Sequence, residues 1–160
     1  MIREYRPEDY PVVLDLLYEL HGRFARSVLP QEVFPFHQDR DFTSTYREYL
    51  DEVVADHGAG HIIYVLEDAR GGLGGFILGS IEHDRWNTLT PAGVVEDWYV
   101  RPAHQGQGHG KRLYWELERF FRGRGCKLVK SSAWWSNLVS RGVHGRLGFV
   151  EYRVELRKLL

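Results

Sequence analysis

Val12, Val13, Leu16, Leu17, Leu20 and Phe24 recur at helical spacing, so the stretch after Pro7 predicts an amphipathic helix that buries this stripe. Pro7-Glu8-Asp9 supplies its start, because proline fits a first helical turn and acids there meet the positive end of the helix dipole. Ile2 to Tyr5, just ahead, reads as a short strand. Val28 to Asp41 carries Pro30, Pro35, Phe34 and Phe36 without a period. A second helix follows, capped by Thr43 or Ser44, with Tyr46, Tyr49, Leu50, Val53 and Val54 on one face and a stop at Gly58.

His61 to Glu67 and Leu73 to His83 are β-branched or apolar runs joined by Ala69-Arg70-Gly71-Gly72, which predicts a hairpin. Val94 to Val100 is a third strand, stopped by Arg101-Pro102. A helix begins at Gly108, with Leu113, Leu117, Phe120 and Phe121 in period, and ends at Gly123 and Gly125. A strand over Lys127 to Ala133, a short helix over Asn137 to Leu147 and a last strand over Phe149 to Leu156 complete the chain. The order β-αα-ββ-β-α-β-α-β is a mixed α/β fold, read as a single domain over residues 1–160.

Length and composition fit that reading. The chain has 160 residues, 43% of them hydrophobic and 27% charged, as in an ordinary globular domain. The N-terminus turns polar at once and no uncharged run is long enough to span a bilayer, which predicts a cytoplasmic protein without a membrane segment. Cys126 is the single cysteine, so neither an internal disulfide nor a CxxC site is available. Net charge is −1, but residues 1–100 hold 8 basic against 18 acidic side chains and residues 101–160 hold 13 against 4. Such asymmetry fits a cationic ligand for the first part and an anionic one for the second, or two parts that neutralise each other within one domain. With no basic run, nucleic acid is not an expected partner.

The chemistry concentrates in Val95-Glu96-Asp97-Trp98-Tyr99-Val100-Arg101-Pro102-Ala103-His104-Gln105-Gly106-Gln107-Gly108-His109-Gly110-Lys111. Three glycines at alternate positions lie where a strand passes into a helix. Glycine lets backbone N–H groups approach an anion, and the helix N-terminus adds a positive partial charge, so the turn suits a pyrophosphate. A dinucleotide GxGxxG requires glycine where Lys111 stands, and an NTP-binding GxxxxGK[ST] loop fails at Gln105 and Arg112.

This stretch resembles the GNAT superfamily of acetyl-CoA-dependent N-acetyltransferases, whose signature (Arg or Gln, two residues, Gly, one residue, Gly or Ala) follows a strand reading like EDLYV. Gln105, Gly108 and Gly110 match it. A second block, NxxAxxLYEKLGF, is similar to residues 137–149, where Asn137, Arg146, Leu147, Gly148 and Phe149 agree in type. The resemblance implies a centrally splayed sheet flanked by helices. Acetyl-CoA would be the cosubstrate, with pantetheine against Trp98, Tyr99 and Val100 and phosphates against Gln105, Gly106, Gln107, Gly108, His109, Gly110 and Lys111. Asn137 and Ser140 complete the expected cofactor-binding set, and Arg101 and Arg112 are further candidates for phosphate.

Attack on a thioester needs a neutral amine, whereas an alkylammonium with a pKa of about 10.4 is almost wholly charged at pH 7, so a base is expected. Glu96 is the candidate: strand alternation places it on the face of Trp98 and Val100, with Asp97 on the other face as the lesser choice. Relatives place a tyrosine near the departing sulfur as general acid; His144 stands there, and an imidazolium is a competent donor to a thiolate. Tyr152 and water are the competing donors. The acceptor pocket is expected from the first two helices, the Val28 to Asp41 loop and the tryptophans, with Phe34, Trp86 and Trp134 as substrate-binding residues. His104 and His109 lack metal spacing, so no metal is expected. The function expected is acetyl transfer to a primary amine, chiefly of a small cationic molecule. A protein lysine or N-terminus as acceptor and a non-catalytic acyl-CoA-binding module are the alternatives, and a homodimer is an open option.

Overall fold

In the computed structural model the backbone is described for residues 1–36 and 41–160, and side chains for all of these except residues 23–25. The side chain of Phe24 in the expected stripe and residues 37–40 of the expected acceptor loop therefore lie outside what is described.

Five strands, β1 (Ile2–Glu4), β2 (His61–Glu67), β3 (Leu73–Glu82), β4 (Ala92–Val100) and β5 (Leu128–Ser131), lie side by side in chain order. The first three pairings are antiparallel and β4–β5 is parallel, as a strand–helix–strand crossover requires. Alternation along the strands divides the core between two faces. Ile63, Val65, Phe76 and Leu78 pack under α1 (Tyr10–Tyr18) and α3 (Phe42–Ala55), joined by Val13, Leu16, Leu17, Leu50 and Val53. Ile62, Leu66, Ile77 and Val95 pack under Leu113, Tyr114, Leu117 and Phe121 of α4 (His109–Gly123). α4 lies so close that a Cβ on Gly93 would sit 2.4 Å from the Phe121 ring, which leaves room only for glycine.

The structure corrects several expectations. Asp41, rather than Thr43 or Ser44, caps α3: its carboxylate accepts from the N–H groups of Thr43 at 3.1 Å and Ser44 at 3.3 Å. The first helical stretch does not run straight to α3. It passes into a π-helical segment, Glu19–Phe24, a short α2 (Ala25–Val28) and a 3-10 segment, Gln31–Phe36. A π turn re-aims side chains; here Glu19 meets Arg101, just past the end of β4, and His21 meets Asp97 within β4. α5 (Leu138–Arg146) forms with Asn137 as its cap. The expected last strand does not form: residues after α5 take no regular structure and Val150 to Leu160 are exposed. A strand persists only where a partner edge lies beside it, and this segment pairs with none.

Candidate active site

β4 and β5 pair from Ala92↔Leu128 to Val95↔Ser131, and there β5 ends while β4 continues for five residues. The two strands part at that point. The Arg101 N–H donates to the Gly74 carbonyl at 2.9 Å, so by alternation the backbone groups of Tyr99 also face β3, while those of Trp98 and Val100 face the gap left by β5. An exposed row of this kind can take one more extended chain. The Val100 carbonyl is already occupied, accepting from Gln105 Nε2 at 2.7 Å.

The strand delivers the chain into the glycine turn through a 3-10 turn, Pro102–His104. Gly106 (φ +76°) and Gly108 (φ +77°) take left-handed conformations that only glycine adopts without strain. Gly108 is the N-cap of α4, whose first turn leaves its N–H groups without intrahelical acceptors. The turn therefore offers backbone donors and a helix dipole to an anion, as the sequence predicted. Lys111 stands over the Trp115 ring at 4.6 Å, and Lys111 and Arg112 are exposed. Arg101 is not available to phosphate: it forms an ion pair with Glu19 at 2.7 Å and donates to the Leu73 carbonyl at 2.9 Å. Burial, then Arg112 and His104, lowers the pKa of His109, which favours its neutral ring.

Two side-chain assignments on β4 change. Tyr99 is buried in the core under α1 and α3 and its backbone groups face β3, so it does not face the gap. Glu96 is not on the face of Trp98 and Val100. Leu78 pairs with Asp97 and Gly79 with Val95, which makes Glu96 the extra residue of a β-bulge. The bulge breaks the alternation and sends both carboxylates toward the α1–α3 side. Glu96, which is exposed, accepts a hydrogen bond from the hydroxyl of Ser80. Asp97 is buried; its oxygens meet His21 Nε2 at 2.7 Å and the Tyr49 hydroxyl at 2.8 Å. Burial and the Asp97 charge push the Tyr49 phenol pKa far up, so it remains the donor to that carboxylate.

His144 lies on the opposite wall, with Trp98 and Phe149 edge-on to its ring at 5.6 and 5.1 Å. Nδ1 is 2.8 Å from the Ser140 carbonyl, which only accepts, so Nδ1 carries a proton. Nε2 is 2.8 Å from Ser131 Oγ, at the point where β5 leaves β4. Asn137 is buried, and its side-chain oxygen accepts from the Ser140 N–H at 3.0 Å, which caps α5. Tyr152, the competing acid, is 97% exposed on the final segment.

The acceptor residues are only partly assembled. Ser136 donates to the Val28 carbonyl at 2.6 Å, which draws the loop bearing Trp134 to the segment leading to Phe34; both rings are partly open to solvent. Trp86 is 83% exposed in the β3–β4 loop, stacked with Arg85 at 4.6 Å, and no described contact joins it to the other two. Among the described residues no group of three metal-ligating side chains occurs, and no helix is long and apolar enough to cross a membrane. A cavity of about 480 Å³ lined by Glu67, Asp68, Arg70, His104, Gln107 and His109 meets the turn through the last three, and neither Glu96 nor His144 borders it.

Sequence reasoning missed His21, Tyr49 and Ser131. His21 stands one turn beyond Leu17 and Tyr49 lies on the packing face of the second helix, so neither position signals a polar partner.

A model described as the Acetyltransferase (GNAT) family matches residues 15–149. The chain is 32% identical over 125 residues to an aminoglycoside N(6')-acetyltransferase type 1 of Salmonella typhimurium, covering 77% of this chain and 81% of the relative. It is 30% identical over 106 residues to the protein of the same name from Stenotrophomonas maltophilia, covering 65% and 68%. Among solved structures, AAC(6')-Iy in complex with the bisubstrate analogue CoA-S-monomethyl-acetylneamine superposes with a TM-score of 0.73 at 21% identity, over 100% of this chain and 97% of that one. Glucosamine-6-phosphate N-acetyltransferase from Arabidopsis thaliana gives 0.71 at 19%, over 99% and 97%.

Proposed function

Because the chain belongs to the Acetyltransferase (GNAT) family, and so is an acyltransferase using acetyl-CoA, we propose that the gap between β4 and β5 carries an acetyl group to a primary amine of an aminoglycoside-like polycation. The observation that carries this reading is the meeting, at one strand divergence, of an open backbone row, an anion-binding turn and two adjacent carboxylates.

The N–H groups of the turn and of the α4 start hold the pyrophosphate, with Lys111 and Arg112 beside them. Trp98 and Val100 pair with the pantetheine through their backbones. Glu96, at the first position past the divergence, holds the ammonium and takes its proton, directly or through one water. The amine then attacks the thioester carbon, its nitrogen releases a further proton to water, the C–S bond breaks, and His144 Nε2–H donates the proton that the thiolate needs. Phe34 and Trp134 border the acceptor. The acidic first 100 residues favour a polycation, in keeping with the aminoglycoside relatives. We read the protein as a cytoplasmic homodimer of single-domain subunits that engages no nucleic acid.

Release of free thiol from acetyl-CoA, followed with aminoglycosides bearing a free 6'-amine, with the same compounds lacking it, and with lysine peptides, tests this. Turnover only with the first set is expected. Activity on peptides alone overturns the acceptor, and tight CoA binding without any turnover overturns the catalytic reading.

A further inference from the structure

Acetylation removes two protons from the attacking nitrogen. A primary ammonium carries three and an amide nitrogen keeps one, while the carboxylate of Glu96 holds one at a time. In the chemistry above the second proton has only water to receive it. The acceptor side also holds a titratable ring that this chemistry leaves idle, the imidazole of His21.

Its setting is that of an oriented base. Nε2 lies 2.7 Å from Asp97 Oδ1, and the other Asp97 oxygen accepts from the Tyr49 hydroxyl at 2.8 Å. Stacking on Tyr46 at 4.4 Å fixes the ring plane. Asp97 is buried and its charge faces Nε2, so that nitrogen carries the ring proton and Nδ1 keeps its lone pair. Nδ1 meets no partner among the described residues, and the side chain is 29% exposed, so water can reach it. His144 is held the opposite way, through Nδ1–H by a neutral carbonyl. A carboxylate stabilises the imidazolium that forms when a proton arrives, and a carbonyl does so less. The two rings are thus suited to opposite tasks, His21 to take a proton and His144 to give one.

The bulge brings the His21–Asp97 pair next to the base. Glu96 and Asp97 are consecutive and both turn toward the α1–α3 side, so the ring resting on Asp97 stands one residue along from Glu96. We propose that His21 Nδ1 receives the second proton of the attacking amine, through the water that first takes it, with Asp97 as the positioning residue. This rests on the acetyl-transfer reading with Glu96 as base. The first proton passes from the ammonium to Glu96, and the C–N bond forms. The second passes from that nitrogen through water to Nδ1 while Nε2–H stays on Asp97; the C–S bond breaks, and His144 protonates the thiolate. Glu96 and His21 then hold one proton each and His144 has lost one, so returning one to His144 and one to solvent restores the enzyme. The charged and titratable groups that the neighbouring elements bring to the ring are Asp97 and Glu96 from β4, Tyr46 and Tyr49 from α3, and, on its own segment, Glu19 paired with Arg101.

Single-turnover acetyl transfer tests it: enzyme loaded with acetyl-CoA is mixed with an amine that the parent acetylates, which reads the chemical step without product release. His21→Gln keeps a donor for Asp97 but no base, so the step should slow by about 10²-fold while CoA affinity and the melting temperature hold. His21→Ala should slow it as much, and added imidazole should restore it in proportion to the neutral form of the buffer, with no response from the parent. A ring that only anchors Asp97 predicts no such recovery. Transfer at the parent's rate in folded His21→Gln, or a His21→Ala loss that imidazole does not repair, overturns the relay and leaves Glu96 in place. Absence of transfer by the parent with every amine overturns the acetyl-transfer reading and the relay together.

Discussion

Asp97 Oδ1 lies 2.7 Å from His21 Nε2, an approach that joins the π-helical segment to the middle of β4. The other Asp97 oxygen is held by Tyr49 from α3, so one buried carboxylate ties three elements of the acceptor side together. His21 stacks on Tyr46 at 4.4 Å, which fixes the plane of its ring. The bulge that turns Glu96 outward is thus anchored by its immediate neighbour.

Removing that anchor should be costly. Asp97→Ala leaves the Tyr49 hydroxyl buried without its acceptor, and a loss of about 1–3 kcal/mol is expected in urea unfolding. The KM for the amine should rise while CoA affinity holds, because the glycine turn does not depend on Asp97. Unchanged stability would remove Asp97 as an anchor.

Gly110 separates shape from charge at the anion site. A Cβ there would meet Trp98 at 3.5 Å, an ordinary contact, so Gly110→Ala should fold and bind CoA nearly as the parent does. Gly110→Glu places a carboxylate at the helix N-terminus, where it competes with phosphate, and calorimetry should then detect no CoA binding. Equal affinities in two folded variants would refute the turn assignment.

The turn was legible because its signal is local: three glycines, a strand and a helix within 17 residues. The bulge at Glu96 was not, since it is set by the register against β3, which no periodicity within β4 reveals. His21 and Asp97 stand 76 positions apart, and a lone histidine at the end of an apolar stripe does not announce its partner. The segment from Phe149 to Leu156 carries a genuine strand pattern, yet pattern gives only the tendency; pairing needs an edge.

Glu96 supports a kinetic prediction. Glu96→Gln keeps the shape and an acceptor for the Ser80 hydroxyl while losing the base, so turnover should fall by about 10²-fold with CoA affinity little changed. Full turnover at neutral pH would take Glu96 out of the mechanism.

The N-terminal ion pairs predict the response to acid. Arg3 meets both Asp9 oxygens, at 2.7 and 2.9 Å, and Glu67 at 2.6 Å. These bonds, led by that of Arg3, hold the Asp9 carboxyl below the usual carboxylate range. A folded pKa depressed below the unfolded one contributes stability above the unfolded value of about 4, lost as pH falls through the folded value. Melting followed from pH 7 to pH 2 should show that loss, and Asp9→Asn, expected to cost roughly 3 kcal/mol at neutral pH, should show less of it. Parallel profiles would exclude Asp9 as a source of the acid sensitivity.

His144 offers the sharpest test of proton delivery, because its two nitrogens have separate tasks. Nδ1–H is committed to the Ser140 carbonyl, so any proton the ring exchanges must pass through Nε2, which faces Ser131 at the divergence of β4 and β5. As the general acid it works only when protonated, so turnover at saturating substrates should fall as pH rises. His144→Ala should lower turnover on the order of 10²-fold and flatten that fall. His144→Tyr returns an acidic hydroxyl and should recover part of the rate, with the fall displaced to higher pH. Ser131→Ala should cost much less, since the ring stays oriented by the Ser140 carbonyl, Trp98 and Phe149. A solvent isotope effect on the parent must accompany these measurements, because slow product release would hide the proton step. If that effect is present and His144→Ala keeps the parent's turnover and pH profile, the imidazole only packs α5 against Trp98, and water supplies the proton.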